Sequence, residues 1–214
     1  MAFLGADAGV IGEGVALIGR CFEHGGGEIC YDKSADLTSV AFPKNIDKIF
    51  PLFYRYRTIG IQTSRGCPHK CIYCTYPLPE GKSIRPRPTE VVTEEIAHLR
   101  KNFGKNHFFF VDSSFNSDES HMARLLESTI ARRLAIRFSC YLQPGIKGYS
   151  LFGLLKKAGC ITMDFGTDSD SAAMLQSLRK SFTLEDVWRT SEACRETGID
   201  FCHSLLFGGP GGDT

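Results

Sequence analysis

From Ile59 onward, short apolar runs alternate with longer amphipathic segments, and this alternation leaves few folds open to the chain. Ile59–Thr63, His107–Asp112, Ile136–Leu142, Ile161–Phe165 and Ile199–Phe207 read as strands. Thr89–Leu99, Ser120–Arg133, Leu151–Ala158, Ser171–Leu178 and Leu184–Thr197 carry helical spacing between them. Strands joined by helices pair in parallel through right-handed crossovers, so an α/β fold follows, with five strands fitting part of an α/β barrel. Thr89, after Pro88 and before acidic early turns, is the expected cap of the first helix.

Residues 59–214 therefore form the expected main domain, and 1–58 an N-terminal segment and linker. Ala6–Gly14 has a short strand pattern running into glycines, and Val15–Phe22 looks helical. Gly25-Gly26-Gly27 is too isolated for a phosphate loop and reads as a turn. Ile29–Arg57 is broken by Pro43 and Pro51 and is rich in aromatics, among them Phe42, Phe50, Phe53, Tyr54 and Tyr56. Those rings are expected to bury against the following domain, which makes this a wrapped linker.

Parallel α/β barrels gather their chemistry at the C-terminal ends of the strands. The first strand leads into Gly66-Cys67-Pro68-His69-Lys70-Cys71-Ile72-Tyr73-Cys74, the second into Asp112–Asn116 and the third into Gln143-Pro144. The fourth leads into Gly166-Thr167-Asp168-Ser169, and the fifth into Gly208-Gly209-Pro210. Cys67, Cys71 and Cys74 are soft ligands on one short loop. Closed structural zinc wants four ligands, whereas a cubane held by three cysteines keeps one iron for another ligand. A zinc knuckle completed by His69 or a distant cysteine, and a non-catalytic electron-transfer module, stay open. The other cysteines, Cys21, Cys30, Cys140, Cys160, Cys194 and Cys202, read as small buried hydrophobes. An odd total of nine argues against a disulfide framework and for a reducing compartment. The 25 basic and 24 acidic residues nearly cancel, so no global field recruits nucleic acid. No apolar run nears the roughly 20 residues of a membrane span, and the expected location is cytoplasmic.

Cys67-x-x-x-Cys71-x-x-Cys74, with an aromatic before the last cysteine, resembles the signature of the radical SAM superfamily. Gln62–Pro68 and Tyr76–Gly81, with Arg85 and Arg87, resemble the branch that carries a cobalamin-binding domain upstream. The resemblance implies a 4Fe-4S cluster on the three cysteines with S-adenosylmethionine (SAM) on the fourth iron, cleaved reductively to a 5′-deoxyadenosyl radical. It implies Tyr73 against the adenine and Asp112 and Ser113 near the amino group. It also implies Gly166, Thr167, Asp168 and Ser169 near the ribose and carboxylate, and Gly208, Gly209 and Pro210 near the adenine. Asp112 and Ser113 read equally as a helix or turn cap, Arg65, Arg85 and Arg87 as anion partners or solvated surface, and His69 and Lys70 as solvent-facing. An electron donor such as a flavodoxin or ferredoxin, a small-molecule substrate and radical methylation are further expectations. The segment before Phe22 resembles the last strand and helix of the cobalamin domain, and Asp-x-His-x-x-Gly is absent. Cobalamin is thus expected only with an upstream domain. The family barrel usually has six βα units, so this one is expected to be truncated after its fifth strand.

Overall fold

The computed structural model describes residues 9–14, 17, 23, 29–31, 36–38, 40 and 43–209. Most of the helix expected at Val15–Phe22, the glycines 25–27 and Pro210 lie outside them. Strands β1 (Gly9–Ile11) and β2 (Ile29–Tyr31) pair in parallel. Helix α1 (Ile46–Ile49) and a 3-10 turn at Pro51–Arg55 precede β3 (Thr58–Ile61). Then come β4 (Ser64–Arg65), α2 (Pro77–Glu80), β5 (Arg85–Pro86), α3 (Thr89–Phe103) and β6 (His107–Phe110). A 3-10 turn at Phe115–Asp118 leads into α4 (Glu119–Ala131), β7 (Arg137–Leu142), α5 (Ser150–Ala158) and β8 (Cys160–Asp168). The chain continues through α6 (Ala172–Ser177), α7 (Leu184–Thr197) and β9 (Asp200–Leu205).

The expected α/β architecture is present as a five-stranded, all-parallel sheet in the order β3-β6-β7-β8-β9. Alternate residues bury one face: Ile59 and Ile61, Phe108 and Phe110, Phe138 and Leu142, Met163 and Phe165. They meet Ile96 and Leu99 of α3, Met122 and Leu125 of α4, and Phe152 and Leu155 of α5. The opposite, concave face presents Phe109, Tyr141, Asp164 and Cys202. Tyr141, Asp164 and Cys202 share one register line across β7, β8 and β9.

Two local expectations need correction. Pro88, not Thr89, stands at the N-cap of α3, and no side chain caps it. Its extended backbone starts the helix one residue early, leaving Thr89 inside the first turn. Of the linker aromatics, Phe53 is buried, while Phe50 and Tyr56 are exposed. The end of the linker is also held by its backbone: Lys105 Nζ donates to the carbonyls of Phe53 (3.0 Å) and Tyr56 (2.6 Å).

Candidate functional site

Antiparallel pairing of β4 with β5, Arg65 opposite Arg85, closes a neck on the loop that carries Cys67, Cys71 and Cys74. Asp112, just past β6, is 1% exposed and holds the near side of that neck. Its carboxylate accepts from Thr63 N (2.6 Å), Thr63 Oγ1 (2.5 Å), Ser64 N (3.1 Å) and Ser64 Oγ (2.9 Å). Burial pushes the Asp112 carboxyl upward, and these four donors pull it back. Ser113 Oγ donates to the Gly66 carbonyl (3.0 Å). On the far side Gly66 N donates to Glu80 (3.2 Å) and Cys67 N to the Gly81 carbonyl (3.1 Å). Gly66 has φ +94°, and a Cβ there would lie 2.0 Å from the Ser83 carbonyl oxygen, so only glycine fits. Asp112 and Ser113 thus shape the loop from below. Neither caps the following helix, because Asp118 does so by accepting from His121 N (2.9 Å).

The loop's other anchor is the end of β8. Asp168 is buried and adopts φ +70°. Its Oδ2 accepts a short hydrogen bond from the Tyr73 hydroxyl and lies 2.5 Å from Lys180 Nζ. Lys180 also donates to Tyr73 Oη (3.1 Å) and to the Gly166 carbonyl (2.9 Å). Burial, then the bond to Asp168, raises the Tyr73 phenol well above its usual range. Thr167 faces away and pairs with His203 Nδ1 (2.6 Å), whose Nε2 meets Ser191 Oγ (2.9 Å). Ser191 donates its proton to the Val187 carbonyl (2.7 Å), which leaves its oxygen to accept from His203 Nε2. Ser169 Oγ accepts from Ser171 N (3.0 Å) in a turn. Asp168 is therefore the member of this quartet whose side chain reaches the cysteine loop. Gly208 is open, whereas a Cβ on Gly209 would come within 2.4 Å of Met174 Cε. Lys180 and His203 were missed in the sequence because a lone lysine in a loop and a histidine within a strand carry no spacing signal.

His69 departs from its expected solvent-facing role. It is half-buried between Ser117 Oγ and Ser181 Oγ, each at 3.3 Å, while Lys70 is exposed. The arginines are anchored rather than solvated. Arg87 is buried against the Gln62 carbonyl (2.6 Å), the Val40 carbonyl (2.9 Å) and Glu95 (2.5 Å). Arg65 and Arg85 both meet Glu13. A cavity of about 460 Å³ opens beside them, lined by Gly12, Gln62, Thr75 and Tyr76. Among the remaining cysteines, Cys140, Cys160 and Cys194 are buried as expected, but Cys202 is exposed on the concave face. Its Sγ donates to Asp164 Oδ1 (2.7 Å).

The sequence profile described as the radical SAM superfamily matches residues 61–213. The chain belongs to the radical SAM superfamily. This radical SAM chain is 25% identical over 150 residues to the uncharacterized methyltransferase PH0819 of Pyrococcus horikoshii, covering 70% of itself and 33% of that protein. It is 29% identical over 151 residues to the hopanoid C-3 methylase of Methylococcus capsulatus, covering 69% of itself and 28% of that enzyme. The structure of TsrM from Kitasatospora setae, a radical SAM methyltransferase with cobalamin and a 4Fe-4S cluster bound, superposes with a TM-score of 0.70 at 28% identity. That match covers 77% of this chain and 33% of TsrM. The chain thus spans about a third of the length of these relatives, and its five-stranded sheet is a partial barrel of the radical SAM type.

Three thiols on one loop, with no fourth cysteine beside them in the sequence, suit a cubane that keeps one iron open. Burial raises the Cys71 thiol, and Cys74, Cys67 and Asp168 add to that while Lys180 opposes it, so the three thiols share one electrostatic neighbourhood. Among the described residues, however, no three Cys, His, Asp or Glu side chains are drawn together around a single ion. Zinc, at about 2.3 Å from each thiolate, would need sulfurs within about 4 Å of one another. A cubane carries its thiolates on separate irons and asks for a wider spread than a single zinc ion.

Proposed function

We propose that this chain provides the catalytic barrel of a radical SAM enzyme acting on a small molecule, and that the reaction is a radical methylation. The observation that carries the reading is the double anchoring of the Cys67–Cys74 loop, by Asp112 and Ser113 at its neck and by Asp168 and Lys180 at the end of β8. Both anchors lie at the C-terminal ends of parallel strands, where barrel chemistry is done. The similarity to a hopanoid methylase and to TsrM supports methyl transfer as the outcome.

Cys67, Cys71 and Cys74 would hold the cluster. When bound, the cluster supplies the electron that cleaves SAM to a 5′-deoxyadenosyl radical. The chain's own residues supply position. Tyr73 is the aromatic available to the adenine, and Lys180 and Asp168 offer a cation and a carboxylate to the charged and hydroxyl groups of SAM. Ser113 and Asp112 hold the loop's backbone in place. Gly208 would leave room for close approach at the end of β9, and Gly209 beside it packs against Met174. Pro210 completes that turn in the sequence.

We also read residues 1–58 as belonging to an upstream unit and 59–214 as the barrel, with β1 and β2 part of the former. Cobalamin would be used if that unit binds it, as TsrM does. A flavodoxin or ferredoxin would deliver the electron, and the cytoplasm is the compartment that suits such chemistry. No helix among the described residues is long and apolar enough to cross a membrane.

Electron paramagnetic resonance on anaerobically reconstituted, dithionite-reduced protein tests the reading. A reduced-cluster signal that shifts on adding SAM and is lost in Cys71→Ala is the expected result. A signal indifferent to SAM would make the chain an electron carrier, and bound zinc with no signal would make it a structural metal domain.

A further inference from the structure

The neck of the cysteine loop has a partner from far upstream. Glu13 follows β1, yet its side chain is 3% exposed. Its carboxylate bridges the two arginines that face each other across the β4–β5 pair. Arg85 reaches Glu13 Oε1 in a short contact and Oε2 at 3.2 Å, and Arg65 Nη1 lies 3.6 Å from Oε2. Both arginines then lead into the loop. Arg85 Nη2 donates to the Glu80 carbonyl (2.8 Å), and Arg65 Nε donates to Gln62 Oε1 (2.6 Å). Gln62 Nε2 reaches Glu80 Oε1 (3.3 Å), and Glu80 Oε2 takes the N–H of Gly66, the residue before Cys67.

We infer that Glu13 is a positioning residue for the cysteine loop, so that the upstream segment sets the geometry of the thiols instead of merely tethering another unit. The inference rests on the radical SAM reading for its purpose, but the coupling itself needs no cluster. Two guanidinium groups side by side repel, and a buried carboxylate between them removes that repulsion and fixes their planes. Without Glu13 the two arginines lose the carboxylate that joins them. The β4–β5 pair is only two residues long on each strand, so the bridge adds a side-chain tie at its Arg65–Arg85 rung.

Iodoacetamide labelling of the cluster-free chain, read by mass spectrometry at each cysteine, tests this directly. In Glu13→Ala, Cys67, which is 7% exposed, should be labelled on the order of 10-fold faster. Cys140 and Cys160, buried in the core, should keep their wild-type rates, and Glu13→Asp should restore most of the protection. Equal labelling of Cys67 in wild type and Glu13→Ala would overturn the inference, as would parallel acceleration at all three cysteines, which reports general unfolding. A second readout follows in reconstituted protein: iron release to a chelator should speed up by a similar factor in Glu13→Ala. If the wild-type chain takes up no cluster, the radical SAM reading fails while the labelling result still decides the role of Glu13.

Discussion

Single carboxylates decide most of what happens around the loop. Asp112 satisfies four donors from Thr63 and Ser64 in a fully buried position. Asp112→Ala leaves those donors unpaired, and we expect a loss of about 3 kcal/mol. At about 2–4 °C per kcal/mol for a chain of this size, calorimetry should record a fall of roughly 6–12 °C. A fall under about 2 °C would show that the carboxylate is dispensable to the fold. Asp164 acts differently, on the chemistry of a neighbour. Its hydrogen bond, with burial and its charge adding, pushes the Cys202 thiol up to about 11. Asp164→Asn removes the charge, so alkylation of Cys202 near pH 8.5 should accelerate about 10-fold, the gain in thiolate outweighing its lower nucleophilicity. An unchanged rate would mean the carboxylate does not control the thiol. The cysteine loop was legible in the sequence because the spacing of Cys67, Cys71 and Cys74 alone defines it. Asp112 was legible as a position but not as a role, since its partners Thr63 and Ser64 lie almost 50 residues away. Lys180 and the contacts of Glu13 were not legible for the same reason.

Helices and strands came through the sequence well, because burial on one face of a parallel sheet enforces the apolar alternation. Boundaries set by glycine and proline backbone geometry did less well, as Pro88 shows. Gly159, between α5 and β8, has φ +104°, and a Cβ there would sit 2.0 Å from the Ile136 carbonyl oxygen. Gly159→Ala should cost at least about 2 kcal/mol. Gly153, inside α5 with open space around it, should gain up to about 1 kcal/mol as Ala. Urea unfolding of the two variants checks the opposite signs, and equal shifts would refute the argument. His203 and His121 link α7, β9 and α4 to the strands that carry the site. Burial lowers both imidazoles from the ordinary value of 6.5. The unfolded chain therefore binds protons first as pH falls. Their stability contribution is complete above pH 6.5 and is lost below it, down to the folded values, where the curve levels. Unfolding free energies measured across that window should decline toward acid, and His203→Gln should flatten the decline. A slope unaffected by that substitution would remove His203 from the account.

At the scale of the whole molecule, the sheet has one face packed by helices and a concave face that the described helices leave open. Strand β9 pairs with β8 alone among the described strands and carries exposed Leu205, followed by exposed Leu206 and Phe207. An apolar parallel edge of this kind invites another chain. Light scattering on the chain as given should show concentration-dependent association, reduced in Leu205→Lys; a monomer at every concentration would show that the edge is tolerated. The sequence announced the five strands but not which face would stay open, because that depends on how crossovers stack. The β4–β5 neck holds a last consequence. Its two ends are fastened to the barrel from both sides of the loop, by Thr63 and Ser64 before it and by Arg87 after it. Exposed Lys82 lies inside that closed span. A protease that cuts after Lys82 would therefore yield two pieces that stay together, the shorter carrying Cys67, Cys71 and Cys74 and the longer carrying Asp168 and Lys180.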